Sequence, residues 1–147
     1  MFQKKINWKI LPILLLVILT LVACGNQAAA PAPPADLAAA ETLDLPVDLD
    51  TATVEEIRNR DDVVLIDVRE DSEYAEGHIP GATLIPLGQI PDRLDEIPTD
   101  KTVVAVCRSG NRSGQATDFL REQGFDNVHN MQGGMNAWGQ AGYDVEK

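Results

Sequence analysis

The strongest constraint on the fold comes from two short apolar runs that contain no polar alternation. These runs are Val63-Val64-Leu65-Ile66 and Val103-Val104-Ala105-Val106. Half-exposed strands alternate apolar and polar residues, whereas strands of a parallel sheet that is covered by helices on both faces are continuously apolar. We therefore predict that both runs are central strands of such a sheet, and hence that the chain contains an α/β domain.

Helical and strand patterns alternate around these two runs. Thr53 followed by Glu56 fits a capping box at the start of a helix that extends to about Arg60. Further helices are predicted over 70–76, 113–123 and 133–140, strands over 82–85 and 127–131, and a loop with a helical turn over 87–97. Ligands of such sheets bind beyond the carboxyl ends of the strands, which directs attention to the loops 67–70 and 107–113.

The first 23 residues have the composition of a bacterial export signal. Three lysines precede an apolar run over residues 10–22, which is shorter than the roughly 20 residues that a membrane span requires. The run ends in Leu-Val-Ala-Cys24-Gly, which resembles the lipobox of bacterial lipoproteins. The resemblance implies that Cys24 is lipidated and anchors the protein to a membrane of the cell envelope, on its extracytoplasmic side. The alternative is an uncleaved anchor helix in which Cys24 is incidental.

The segment that follows the signal is predicted to be a tether. Residues 24–45 include an alanine- and proline-rich stretch over 27–40, which is typical of an extended, semi-rigid linker. The folded domain is then expected over 46–147. About 100 residues form one domain with room for a shallow site but not for a second core or a large cofactor cleft, and we expect a monomer without a cofactor.

The charge balance limits the possible partners of this domain. The chain has 12 basic and 23 acidic residues, and beyond residue 23 nine basic and 23 acidic residues remain, which gives a net charge of −14. Such a surface repels nucleic acid phosphates, so we expect no nucleic acid partner. A small anionic substrate would need a local positive pocket.

The loop Cys107-Arg108-Ser109-Gly110-Asn111-Arg112-Ser113 carries the predicted chemistry. A loop that curls onto a helix N-terminus turns backbone N–H groups inward, and these groups favour a thiolate at Cys107, which is the reactive form of cysteine. Arg108 and Arg112 offer positive charge to an anion, and Arg112 lies closer to the curl. An inert, buried Cys107 is the structural alternative, but it would not require so polar a loop.

This loop resembles the active-site loop of the rhodaneses. The resemblance extends to Leu65–Arg69, to Glu73–Ala82 and to Gly133–Trp138, in the order of the family. It implies a rhodanese-like α/β fold with a five-stranded, mainly parallel sheet that is flanked by helices on both faces. It also implies a double displacement, in which a donor such as thiosulfate passes sulfur to Cys107 and a thiol or cyanide then removes it. The residues of the loop would bind the donor, while Asp67 and Arg69 would support the loop as a structural network.

Two other functions remain open for such a domain. A rhodanese fold can act as a slow sulfur carrier or sensing module, and the family also hosts phosphatases and arsenate reductases. These oxyanion enzymes usually have the wider spacing Cys-x5-Arg, whereas Cys107 and Arg112 have the spacing Cys-x4-Arg, which favours sulfur. The two histidines, His78 and His129, are expected to be structural, and no metal site is predicted.

Overall fold

The computed structural model describes residues 43–147. Five strands and four α-helices follow one another along this part of the chain. The strands are β1 (Asp48–Leu49), β2 (Val63–Asp67), β3 (Thr83–Leu84), β4 (Thr102–Val106) and β5 (Val128–Met131). The helices are α1 (Thr51–Ile57), α2 (Asp71–Glu76), α3 (Asn111–Glu122) and α4 (Gly134–Ala141), and short 3₁₀ segments occupy Leu87–Asp92 and Leu94–Glu96.

The strands form one sheet in the order β1-β5-β4-β2-β3, and every pair is parallel. The two apolar runs are the adjacent strands β2 and β4, with Val63 opposite Thr102 and Asp67 opposite Val106. Both therefore end at the same edge of the sheet. The predicted α/β fold with a five-stranded sheet is confirmed. The strand β1 has only two residues, so no sequence pattern could predict it.

Each face of the sheet carries its own apolar core, because successive residues of a strand point to opposite faces. Leu65, Val104 and Val106 pack on one face with α1 and with Trp138 of α4. Ile66 and Val103 pack on the other face with Ala116 and Leu120 of α3. Helices thus cover both faces, as expected, and the two central strands are buried between them.

The start of α1 differs from the prediction. Asp50, not Thr53, caps this helix, because its carboxylate accepts a hydrogen bond of 2.7 Å from the backbone N–H of Thr53. Aspartate is at least as good a cap as threonine, and Asp50, with its extended backbone, lies three residues before Thr53, so the helix starts earlier than predicted. The helix ends at Ile57 and does not reach Arg60.

The start of α3 also differs, and this change alters the candidate site. Gly110 has a left-handed backbone (φ 93°) and precedes the first helical residue, Asn111. Its carbonyl accepts the N–H of Gly114 at 2.9 Å and closes the first helical turn. The loop after β4 is consequently only Cys107–Gly110. Three residues that were assigned to the loop, Asn111, Arg112 and Ser113, belong to the first turn of α3.

The predicted signal over 1–23, the lipidation site Cys24 and the tether up to residue 42 lie outside the described residues. Leu43 and Leu45, at the end of the predicted tether, are partly buried against the core that contains Trp138. Among residues 43–147, no helix has the length and apolar character needed to cross a membrane.

Candidate active site

Cys107 directly follows β4 and lies at the N-terminal end of α3. It is a free cysteine, and only 1% of its surface is exposed. Its sulfur accepts the backbone N–H of Gly110 at 3.1 Å and lies 3.3 Å from Oγ of Ser113. The structure therefore places one sulfur atom within a tight ring of hydrogen-bond donors at the positive end of a helix dipole.

Helix α4 holds the short loop in place from the side opposite the sulfur of Cys107. The carbonyl oxygens of Cys107 and Arg108 accept the backbone N–H groups of Met135 at 2.8 Å and Asn136 at 3.0 Å. Because the carbonyl groups point to α4, the N–H groups of the same loop are free to point to the sulfur.

Gly134 makes this close approach possible. A Cβ atom at that position would lie 2.2 Å from the carbonyl oxygen of Cys107 and 2.6 Å from the backbone nitrogen of Ser109. The backbone of Gly134 is also left-handed, with φ of 55°. Any side chain at this position would thus push α4 away from the loop.

The environment of Cys107 lowers the pKa of its thiol. Burial acts in the opposite direction and raises the pKa, but four hydrogen bonds outweigh it. They come from the hydroxyl of Ser113 and from the backbone N–H groups of Ser113, Ser109 and Gly110. The thiolate is the nucleophilic form of cysteine, so the geometry favours a reactive Cys107 over an inert core residue.

The two arginines of the site have different partners. Arg112 forms a bidentate ion pair with Glu73 of α2, with both N–O distances at 2.7 Å, and it also feels the charge of Cys107. This pairing with Arg112 lowers the pKa of Glu73 to about 2. Arg108 is exposed, and its guanidinium has no hydrogen-bond or ion-pair partner among residues 43–147. Arg112, which was expected to be the closer cation to an anion, is thus already paired with Glu73, whereas Arg108 is unpaired among these residues.

Asp67 and Arg69 form the expected structural network at the end of β2. Both are buried, and Arg69 donates to the two carboxylate oxygens of Asp67 at 2.6–2.9 Å. The same guanidinium donates to the carbonyl oxygens of Glu73 at 3.1 Å and Gly77 at 2.9 Å. These bonds fix α2 and thereby the position of Glu73 against Arg112. Asp67 and Arg69 support the site and do not touch the sulfur through any of these bonds.

The remaining site residues line the rim. Ser109 and Asn111 are exposed, and Ser109 contributes only its backbone to Cys107. Three contributors, Glu73, Asn130 and Gly134, were missed by reasoning from residue types. Glu73 and Gly134 lie in segments that resemble the family, but only the fold brings them to the loop. Asn130 lies in β5, where its Oδ1 accepts from Oγ of Ser113 at 2.7 Å, and nothing in its own segment marks it.

The two histidines serve structural roles, as predicted. His78 stacks on Tyr74, with ring centroids 3.6 Å apart, and its Nδ1 lies 3.0 Å from the carbonyl oxygen of Tyr74. Nδ1 of His129 lies 2.7 Å from the carbonyl oxygen of Pro46.

Within residues 43–147, no three acidic, histidine or cysteine side chains are grouped to hold a metal ion. A cavity of about 500 Å³ lies at the opposite edge of the sheet, near Asp62 and Thr102, away from Cys107.

Comparison with known proteins identifies the domain. Residues 50–141 match the family model of the rhodanese-like domain. The chain belongs to the rhodanese family. The predicted resemblance is thereby confirmed, and the matched segment contains the Cys107 loop, α2 and the start of α4 of this rhodanese domain.

Relatives of this rhodanese domain include proteins named for sulfur transfer. A sulfurtransferase of Allochromatium vinosum is 44% identical over 89 residues, which cover 60% of this chain and 83% of that protein. The thiosulfate sulfurtransferase GlpE of Pseudoalteromonas translucida is 37% identical over 83 residues, which cover 56% of this chain and 79% of that protein. The crystal structure of a rhodanese-like domain protein from Staphylococcus aureus has 34% identity and a TM-score of 0.61, over 69% of this chain and 100% of that one.

Proposed function

We propose that this protein is a sulfurtransferase that carries sulfane sulfur on Cys107. In the first step the Cys107 thiolate attacks the outer sulfur of a small anionic donor such as thiosulfate. A bond between the two sulfur atoms forms, the sulfur–sulfur bond of the donor breaks, and sulfite leaves with the electron pair. In the second step cyanide or a thiolate attacks the outer sulfur, forms thiocyanate or a new persulfide, and releases the Cys107 thiolate.

The observation that carries this proposal is the tight ring of donors around the sulfur of Cys107. Charge-assisted hydrogen bonds from the loop stabilise a thiolate, and they would equally stabilise the anion of a persulfide one atom longer. Only three residues separate Cys107 from the first residue of α3, and the N–H of Gly110 is already 3.1 Å from the sulfur. A tetrahedral oxyanion would require a wider ring, so this geometry favours sulfur transfer over phosphate or arsenate chemistry.

Thiosulfate is proposed as a donor on two grounds. One relative, GlpE of Pseudoalteromonas translucida, is named a thiosulfate sulfurtransferase. In this chain the exposed guanidinium of Arg108 offers an unpaired positive charge next to Cys107, within a strongly acidic protein. That local charge would attract a small anion that the rest of the surface repels.

We also propose that a lipid on Cys24 holds the domain at a membrane of the cell envelope. The support is the lipobox-like sequence that ends in Cys24, and the Ala/Pro-rich stretch that separates it from the domain. Changing Cys24 to serine should move the protein from the membrane fraction to a soluble fraction, or leave an unprocessed precursor. Retention of the processed variant in the membrane fraction would contradict a lipid anchor.

Steady-state and single-turnover kinetics test the proposed reaction. The wild type should transfer sulfur from thiosulfate to cyanide over many turnovers and should hydrolyse aryl phosphates negligibly. Cys107→Ser should show no sulfur transfer. A single turnover followed by a stalled protein would instead identify a sulfur carrier. Faster hydrolysis of the aryl phosphate than transfer of sulfur would refute the proposal.

A further inference from the structure

A row of polar side chains links Cys107 to the edge strand of the sheet. Oγ of Ser113 lies 3.3 Å from the sulfur of Cys107 and 2.7 Å from Oδ1 of Asn130. Nδ2 of Asn130 in turn donates to the carboxylate of Asp48 at 2.8 Å. Ser113 and Asn130 are buried, and Asp48 and Asn130 are register partners of the adjacent strands β1 and β5.

The hydroxyl of Ser113 has one proton for more than one acceptor. Oδ1 of Asn130, the carbonyl oxygen of Gly110 at 3.2 Å and the sulfur of Cys107 all lie within reach of it. A hydroxyl donates one hydrogen bond at a time, so a proton that points to Asn130 is withheld from the sulfur. A thiolate at Cys107 is therefore stabilised less whenever Asn130 accepts from Ser113.

Asp48 decides which end of the Asn130 amide faces Ser113. An amide can present either its oxygen or its NH₂ group, but a carboxylate can only accept. Because Asp48 takes the NH₂ group, the oxygen of Asn130 must face Ser113. If residue 48 could also donate, the amide would be free to turn and present its NH₂ group to Ser113. The hydroxyl proton would then be available to the sulfur.

We propose that Asp48 and Asn130 are positioning residues: the Asn130 oxygen, held toward Ser113 by Asp48, competes with Cys107 for the Ser113 hydroxyl proton and so controls how readily the thiolate forms. The inference rests on the proposed function only in taking Cys107 as the reactive group. The Asp48 and Asn130 variants below leave unchanged the charged side chains at the ends of β2 and β4 and on the facing turns of α2 and α3. These are Asp67, Arg69, Glu70, Glu73, Arg108 and Arg112. The row from Asp48 to Ser113 is thus the component that the variants change.

The test measures the pH dependence of Cys107 alkylation by iodoacetamide in the full-length chain. Mass spectrometry of the tryptic peptide 102–108 reads Cys107 separately from Cys24. Asp48→Asn should shift the midpoint of the profile down by about one pH unit, which is the size expected for one hydrogen bond to a charged group. Asp118→Asn removes the same charge from an exposed position of α3 and should leave the midpoint unchanged. Circular dichroism verifies that each variant is folded.

Two further variants separate the hydrogen-bond row from a simple effect of charge. The exchange Asp48→Asn with Asn130→Asp keeps the net charge and again places an obligate acceptor against Ser113, so the midpoint should return at least to the wild-type value. In a Ser113→Ala background, Asp48→Asn should have no effect. An unchanged midpoint in Asp48→Asn, or an equal shift with and without Ser113, would overturn the proposal. Alkylation requires no sulfur donor, so the pH profile of Cys107 can be interpreted even if the protein does not transfer sulfur.

Discussion

The ion pair between Glu73 and Arg112 makes a specific prediction about donor use. Both N–O contacts of Arg112 with the carboxylate are 2.7 Å long, and this pairing occupies the cation nearest to Cys107. Glu73→Gln removes the negative charge and one of the two acceptors. Arg112 should then turn to an anionic donor, and kcat/KM for thiosulfate should rise by about tenfold, the equivalent of 1.4 kcal/mol in the barrier.

The same substitution should cost stability. The change in the pKa of Glu73 from 4.5 to about 2 corresponds to about 3 kcal/mol between its two protonation states. The two side chains are 26% and 29% exposed, so solvent screening reduces the net contribution to about 1 kcal/mol. Tm should fall by about 4 to 8 °C. Because the pKa is lowered in the folded state, the difference in stability should be complete above about pH 5 and disappear as the pH falls through about 2.

Thiosulfate kinetics and thermal unfolding, each measured at neutral pH and in acid, provide the assay. Glu76→Gln is the matched control, since it removes the same charge from an exposed position of the same helix. It should change neither quantity appreciably. If Glu73→Gln lowered kcat/KM while the protein stayed folded, Glu73 would serve to aim Arg112 at the donor and the reasoning about competition would be refuted.

Three other substitutions test the construction of the loop. Gly134→Ala should destabilise the fold by about 2–5 kcal/mol and abolish sulfur transfer, because its Cβ would lie 2.2 Å from the carbonyl oxygen of Cys107. Gly139→Ala in the same helix meets no atom within 4 Å, so chemical denaturation should show little loss of stability. Arg108→Ala should weaken thiosulfate use by about 1.5–3 kcal/mol, and more than Arg112→Ala does, because Glu73 already holds the guanidinium of Arg112. Equal and negligible kinetic effects would assign donor binding to the backbone amides alone. One glycine inserted after Gly110 should lower sulfur transfer at least about tenfold, and an unchanged rate would show that the size of the ring is unimportant.

The sequence predicted the central part of the fold because its signals are local. Continuous apolar runs predicted β2 and β4, which the structure confirms, and the polar loop after β4 led to the prediction of Cys107 as the reactive group. The two-residue strand β1 gave no signal of its own, since its place in the sheet depends on pairing with β5, more than 70 residues away.

The contacts that complete the site could not be predicted, because they join distant segments. Glu73 pairs with Arg112 across 39 positions, and Asn130 reaches Ser113 across 17. Gly134 approaches the Cys107 carbonyl only because α4 packs behind the loop. The start of α3 was predicted two residues late because the tight curl of the loop was expected to continue to Arg112. The left-handed Gly110 instead ends the loop, and the helix begins at Asn111.

The central claim is that Cys107 carries a single transferable sulfur atom. Intact mass spectrometry of the full-length protein, before and after thiosulfate and again after cyanide, tests it most directly. The wild type should gain the mass of one sulfur atom with thiosulfate and lose it with cyanide, and Cys107→Ser should gain none. A wild type that gains no sulfur, or a Cys107→Ser variant that gains as much, would contradict the claim.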